Sequence, residues 1–108
     1  MQLRNLLIAA VGLAVTAGAA DVASAGTPWQ NHHPRRVEVN HRLGNLNHSI
    51  RVARHDGGLN AWQAHRLHAR VRMIRHQERV FARHDGGHIT RHEQARLNHE
   101  ETGVRHHI

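Results

Sequence analysis

The chain has 108 residues, with 15 basic side chains that are all Arg, 8 acidic ones, 14 His, and a formal charge of +7 when the imidazoles are neutral. It has no Cys or Tyr, one Phe and two Trp, which excludes disulfides, thiolate metal centres, thiol redox chemistry and a large aromatic core. That size holds one small domain, and the positive balance favours polyanionic partners.

The first segment sets the compartment. Arg4 provides a positive start, Leu6 to Ala20 is an apolar run, and Ala23-Ser24-Ala25 is a small-x-small cleavage motif ahead of Gly26. Residues 1–25 therefore read as a cleaved signal peptide, and the protein as periplasmic or secreted. The run is alanine-rich, shorter than the roughly 20 residues that span a bilayer, and followed by Asp21. No Cys follows it, so a lipoprotein anchor is excluded. Export argues against nucleic acid as the partner and leaves anionic lipid or lipopolysaccharide surfaces of the envelope.

Residues 26–35 carry both prolines, Trp29 and the pair His32-His33 without periodicity, and read as a flexible lead-in. The helical domain is expected over 36–101. Its first helix runs from about Arg36 to Arg54, because Val39, Leu43, Leu46, Ile50 and Ala53 step by four and three along one stripe. Gly44 weakens this helix by about 1 kcal/mol against Ala, so tertiary packing must support it. His41, His48 and His55 lie opposite the stripe and face solvent, and Glu38 with His41 reads as a solvated pair. The second helix, about Asn60 to Arg83, has a stripe of Ala64, Leu67, Val71, Ile74 and Phe81. Glu78 intrudes at a core position, where an Arg of the first or third helix would have to meet it. The third, about Thr90 to Glu101, keeps Ala95 and Leu97 as apolar contacts before Thr102-Gly103 opens a flexible tail over 102–108.

Both connections repeat one motif. Ala53-Arg54-His55-Asp56-Gly57-Gly58 recurs as Ala82-Arg83-His84-Asp85-Gly86-Gly87, followed by Leu59 and the capping Asn60 in the first copy and, after His88, by Ile89 and the capping Thr90 in the second. Asn60 with Gln63, and Thr90 with Glu93, are capping-box pairs that satisfy the orphan amides of a helix start. The fold class is therefore all-α: a small bundle of three helices joined by two Gly-Gly turns. With so few large side chains, dimerisation or a ligand would help complete the core.

Gly87, Ile89 and Glu93 have the spacing of the back half of an EF-hand loop, and Gly57, Leu59 and Gln63 repeat it with the closing carboxylate replaced. The front half is missing, since Ala82 and His84, or Val52 and Arg54, stand where oxygen ligands are required. Calcium, which needs six to eight hard oxygens, is not expected. The layout resembles a group of small exported proteobacterial proteins that pair an Asn-x-Arg-Ile/Leu helix with tandem Gly-x-Leu-Thr-x-x-Glu turns. Asn40-His41-Arg42-Leu43 carries the first element. Gly58-Leu59-Asn60 to Gln63, and Gly86-Gly87-His88-Ile89-Thr90 to Glu93 with Gln94, Leu97 and Asn98, carry the second. The likeness covers about Val37 to Asn98, and it implies the fold and an exported location rather than an activity.

Imidazole is the chemistry left to such a chain, and it suits Cu(II), Zn(II) and Ni(II). His84, Asp85, His88 and His92 form the leading candidate metal cluster, with His55, Asp56, His65 and His68 the second. Against this, Asp85 can serve its turn while the three His point apart. The terminal pairs His32-His33 and His106-His107 would bind only loosely. No His-Glu-x-x-His and no nucleophile arrangement is present, so an enzyme is not expected. Two readings lead: an exported binder of Cu or Zn, then Ni, for buffering or delivery, and a pH-responsive cationic protein for anionic envelope surfaces. In the second, imidazoles titrating near pH 6.5 add to the +7 charge. A structural helical module that interacts through its stripes, as a homodimer for instance, is the third.

Overall fold

The computed structural model describes residues 26–108, and the expected signal peptide lies outside the described residues. These residues are all-helical, with four helices among them. The first, α1 (Pro28–His32), is one turn long and belongs to a separate unit of the chain. It replaces part of the expected flexible lead-in. Thr27 Oγ1 accepts from the Gln30 amide at 3.1 Å, and Gln30 Oε1 accepts from the Thr27 amide at 2.7 Å, so both orphan donors at its start are satisfied.

The second unit, His33–Ile108, contains α2 (Pro34–His55), α3 (Ala61–His84) and α4 (Arg91–Arg105). Helix α2 begins two residues before the expected Arg36, because Pro34 sits in the first turn, where a missing N–H costs nothing. It runs through Gly44 and buries Val39, Leu43, Leu46 and Ile50, as the stripe predicts. His41, His48 and His55 are exposed on its other side. Helix α3 buries Ala64, Leu67, Val71 and Ile74. Farther along, Ala82 takes the core place expected for Phe81, which lies half-buried at the edge beneath the Arg96 guanidinium.

Each of these three helices packs against the other two around one aliphatic core. Both capping boxes form: Asn60 and Gln63 exchange side-chain and backbone bonds of 2.8 Å, and Thr90 and Glu93 exchange bonds of 2.9 and 3.1 Å. Leu59 and Ile89, the residue before each cap, are inserted into the core. The second turn holds one more residue than the first, His88, and spends one more left-handed glycine. Gly57 alone has positive φ in the first (+84°), whereas Gly86 and Gly87 both do in the second (+68° and +97°).

Helix α4 corrects the expected tail. It continues past Thr102-Gly103 to Arg105, because Val104 lies seven residues beyond Leu97 on the same stripe and both are fully buried. Ala95, expected to be a contact, is exposed. Glu78 meets Arg36 of α2, one of the two helices from which a partner was expected. Arg36 binds both carboxylate oxygens and also donates to the Gly87 carbonyl at 3.1 Å.

Glu38 is not a solvated partner of His41. It accepts from Gln94 at 2.8 Å and Asn98 at 3.2 Å on α4, and pairs with Arg42 at 3.5 Å. Bonding of this kind, together with Arg42, holds its carboxyl below the ordinary value against the opposing effect of burial. Arg42 also reaches Glu101 at 3.1 Å, which links α2 to α4 by a polar seam beside the Leu43–Leu97 core. No helix among the described residues is long and apolar enough to cross a membrane.

A cationic histidine cleft as the candidate functional site

The two predicted clusters meet different fates. At the second turn, His84 and Asp85 are exposed at the end of α3, while His92 is exposed on the first turn of α4. His88 turns away toward the start of α2 and stacks on His33, with ring centroids 4.6 Å apart and planes 15° from parallel. Its imidazole is thus committed to a ring contact that short-range spacing gave no sign of.

Interaction with the Glu93 side chain, then desolvation and the nearby Glu93 charge, raises the Asp85 carboxyl, while His84 pulls it down. Burial pushes Glu93 up, but bonds from Thr90 and Asp85 and the charge on His84 leave it lowered. Among the described residues, no three His, Asp or Glu side chains are arranged to hold a single metal ion. The four residues proposed as one ligand set are not gathered at one point.

The first-turn cluster comes together better. His55, His65 and His68 line one open cleft of ≈ 630 Å³ between the end of α2 and the start of α3, joined by Arg51 and Arg54 and floored by Ala61 and Ala64. The cause is local: the Gly57-Gly58 turn folds α3 back beside α2, and the Asn60 cap fixes where α3 starts. His55 Nδ1 lies 3.3 Å from Asp56 Oδ1, and both side chains are exposed, so Asp56 restrains one imidazole at the rim.

His68 is the half-buried member. Its Nδ1 donates to Asn47 Oδ1 at 2.8 Å, which assigns the ring proton to Nδ1 and leaves Nε2 to accept a proton or another ligand. Burial, then the charges of Arg51 and Arg72 and the neighbouring His65, lower its proton affinity. The cleft is positive before any imidazole is protonated. Arg54 and His55 complement the carbonyl end of α2, while the amide end of α3 adds partial positive charge to the opposite wall.

Three-residue spacing places His65 and His68 on a shared helix face but gives no sign of Arg51 and Arg54, which line the cleft, or of Asn47, which bonds His68, because all three come from α2 through its packing on α3. The run Arg51-Val52-Ala53-Arg54-His55 was the available signal. At the second turn the spacing gives Glu93 a capping role and does not set it beside Asp85. No protein-family model matches the chain, and no curated protein or solved structure is significantly similar to it.

Proposed function

We propose that this protein is an exported, histidine-rich bundle of three helices that binds anionic, phosphate-bearing surfaces of the cell envelope, more tightly as pH falls. The observation that carries this reading is the cleft in which His55, His65 and His68 join Arg51 and Arg54. Guanidinium groups repel a bare dication and attract phosphate, to which they donate paired hydrogen bonds. The same positive charges hold down the proton affinity of His68. An arriving anion offsets them, so binding and proton uptake reinforce one another. The role is binding rather than catalysis.

Calorimetric titration with inorganic polyphosphate, at pH 7.5 and 5.5 and at two salt concentrations, tests this. The affinity should rise at pH 5.5 and fall with salt. Arg51→Ala with Arg54→Ala should weaken binding about tenfold, as loss of two phosphate contacts does. Changing His65 and His68 to Asn should flatten the pH dependence. An affinity equal at the two pH values rules the reading out.

The second reading, binding of a divalent transition metal such as copper or zinc ahead of nickel, is supported by the nearness of His84 to Asp85 and Glu93. An imidazole and two carboxylates supply N and O donors for such an ion, which would have to draw them together, since among the described residues no three are placed to hold one. Zinc titration at pH 7.5 should then show one saturable site, lost in His84→Asn and at pH 5.5. Weak uptake spread over many imidazoles, without saturation, would eliminate it.

A further inference from the structure

The outer face of α3 carries a feature that the histidine cleft does not use. Trp62, Arg66, Arg70 and Met73 step by four, four and three residues and therefore share one side of the helix. Trp62 and Met73 are both 64 % exposed, the highest values among the large hydrophobic side chains of the described residues. The Arg66 guanidinium lies 4.7 Å from the centre of the Trp62 ring. Two shallow clefts run between α3 and α4, of ≈ 260 Å³ around Trp62, Arg66 and His107 and ≈ 280 Å³ around Met73, His99 and Gly103. They join at Arg70, which lines both. The one carboxylate on them, Glu100, is already bonded to Gln77 at 2.8 Å and paired with Arg96 at 3.7 Å.

We propose that this stripe seats α3 flat on an anionic lipid bilayer. Charge complementarity favours that occupant: Arg66 and Arg70 face outward with no unengaged carboxylate lining the clefts, and they match lipid phosphates. The apolar pair favours lipid over a soluble polyanion. Tryptophan has an apolar body and an N–H suited to the headgroup layer, and the flexible Met73 side chain fits the acyl boundary below it. Trp62 and Met73 stand about 16 Å apart along the axis, at 1.5 Å per residue, long enough to contact several headgroups in one plane. Helix α3 lies on such a surface and does not span it. The inference rests on the anion-binding reading for its choice of charge, and it adds the lipid and the face that meets it.

The test uses residues 26–108, the mature chain of the proposed function, with Trp29→Phe so that Trp62 is the sole indole. Vesicles of zwitterionic phosphatidylcholine, with and without about one-third phosphatidylglycerol, are added while Trp62 emission and co-sedimentation are recorded. The expected result is a blue shift and sedimentation with the anionic vesicles only. Arg66→Ala with Arg70→Ala should lower the affinity about thirtyfold, and Met73→Ser should reduce the blue shift. Four results would overturn the inference. Sedimentation with anionic vesicles and no shift of Trp62 leaves the anion reading intact but moves the contact to another face. A shift equal on both vesicle types removes the role of the arginines. A concentration-dependent shift without vesicles assigns the stripe to a second copy of the chain. Failure to bind either anionic vesicles or inorganic polyphosphate removes the inference and the anion reading together.

Discussion

Replacing Glu101 by Gln is expected to stabilise the folded chain at pH 8, by up to about 3 kcal/mol, and by little at pH 4.5. The Glu101 side chain is 1 % exposed, and neither oxygen has a hydrogen-bond partner among the described residues. Arg42 Nε stands 3.1 Å away, but Arg42 is also shared with Glu38 and Thr102. Burial dominates, with Glu38 and Glu100 adding repulsion, and the carboxyl is pushed up to about 7 from an ordinary 4.5. The folded chain therefore holds this proton more tightly than the unfolded chain. The stabilisation this brings is complete below pH 4.5 and lost as pH rises toward 7.

Glutamine keeps the shape and neutrality of the protonated acid at every pH, so the advantage of Glu101→Gln should grow from pH 4.5 to 8. Weakened pairing of Arg42 subtracts from the gain. Urea unfolding of both chains at the two pH values measures the difference. An equal effect at both would mean that the folded chain holds the Glu101 proton no more tightly than the unfolded chain. His68 contributes with the opposite sign, since its lowered proton affinity gives stability that is lost as pH falls. Comparing two chains that both contain His68 cancels that effect.

Periodicity and capping chemistry made much of the fold legible. Val39, Leu43, Leu46 and Ile50 could be read from their steps alone, and Asn60 with Gln63 and Thr90 with Glu93 from the reciprocal bonds those side chains make. Local rules failed where a residue answers to a distant one. Thr102-Gly103 reads as a break until Val104 and Glu101 are seen packed under α2 and α3, and Glu38 looks solvated until α4 brings Gln94 and Asn98 to it. The site divides the same way. Three-residue spacing puts His65 and His68 together, but the arrival of Arg51 and Arg54, and the departure of His88 to His33, depend on how α2 lies against its neighbours. Propensity within a helix carries no record of that angle.

The ion pair between Arg36 and Glu78 should show the largest loss of stability. Glu78 is 1 % exposed at a core position of α3, and Arg36 is the group that compensates its charge. Arg36→Ala strands a buried carboxylate and removes a donor from the Gly87 carbonyl, so a cost of about 3–5 kcal/mol is expected. Changing both Arg36 and Glu78 to Leu should recover most of it, because two apolar side chains of similar volume need no compensation. The donor to Gly87 stays lost in the double variant, which should leave a local deficit at the second turn. There Arg35 still donates to the Ile89 carbonyl at 3.4 Å and His33 still stacks on His88. Urea unfolding of the single and double variants measures the global effect, and hydrogen exchange at the amides of Gly87 and His88 measures the local one. A double variant as unstable as Arg36→Ala would show that shape, rather than charge, is what Arg36 provides. The histidine cleft lies at the other connection, between α2 and α3, so polyphosphate binding by the double variant should match that of the parent chain wherever both are folded.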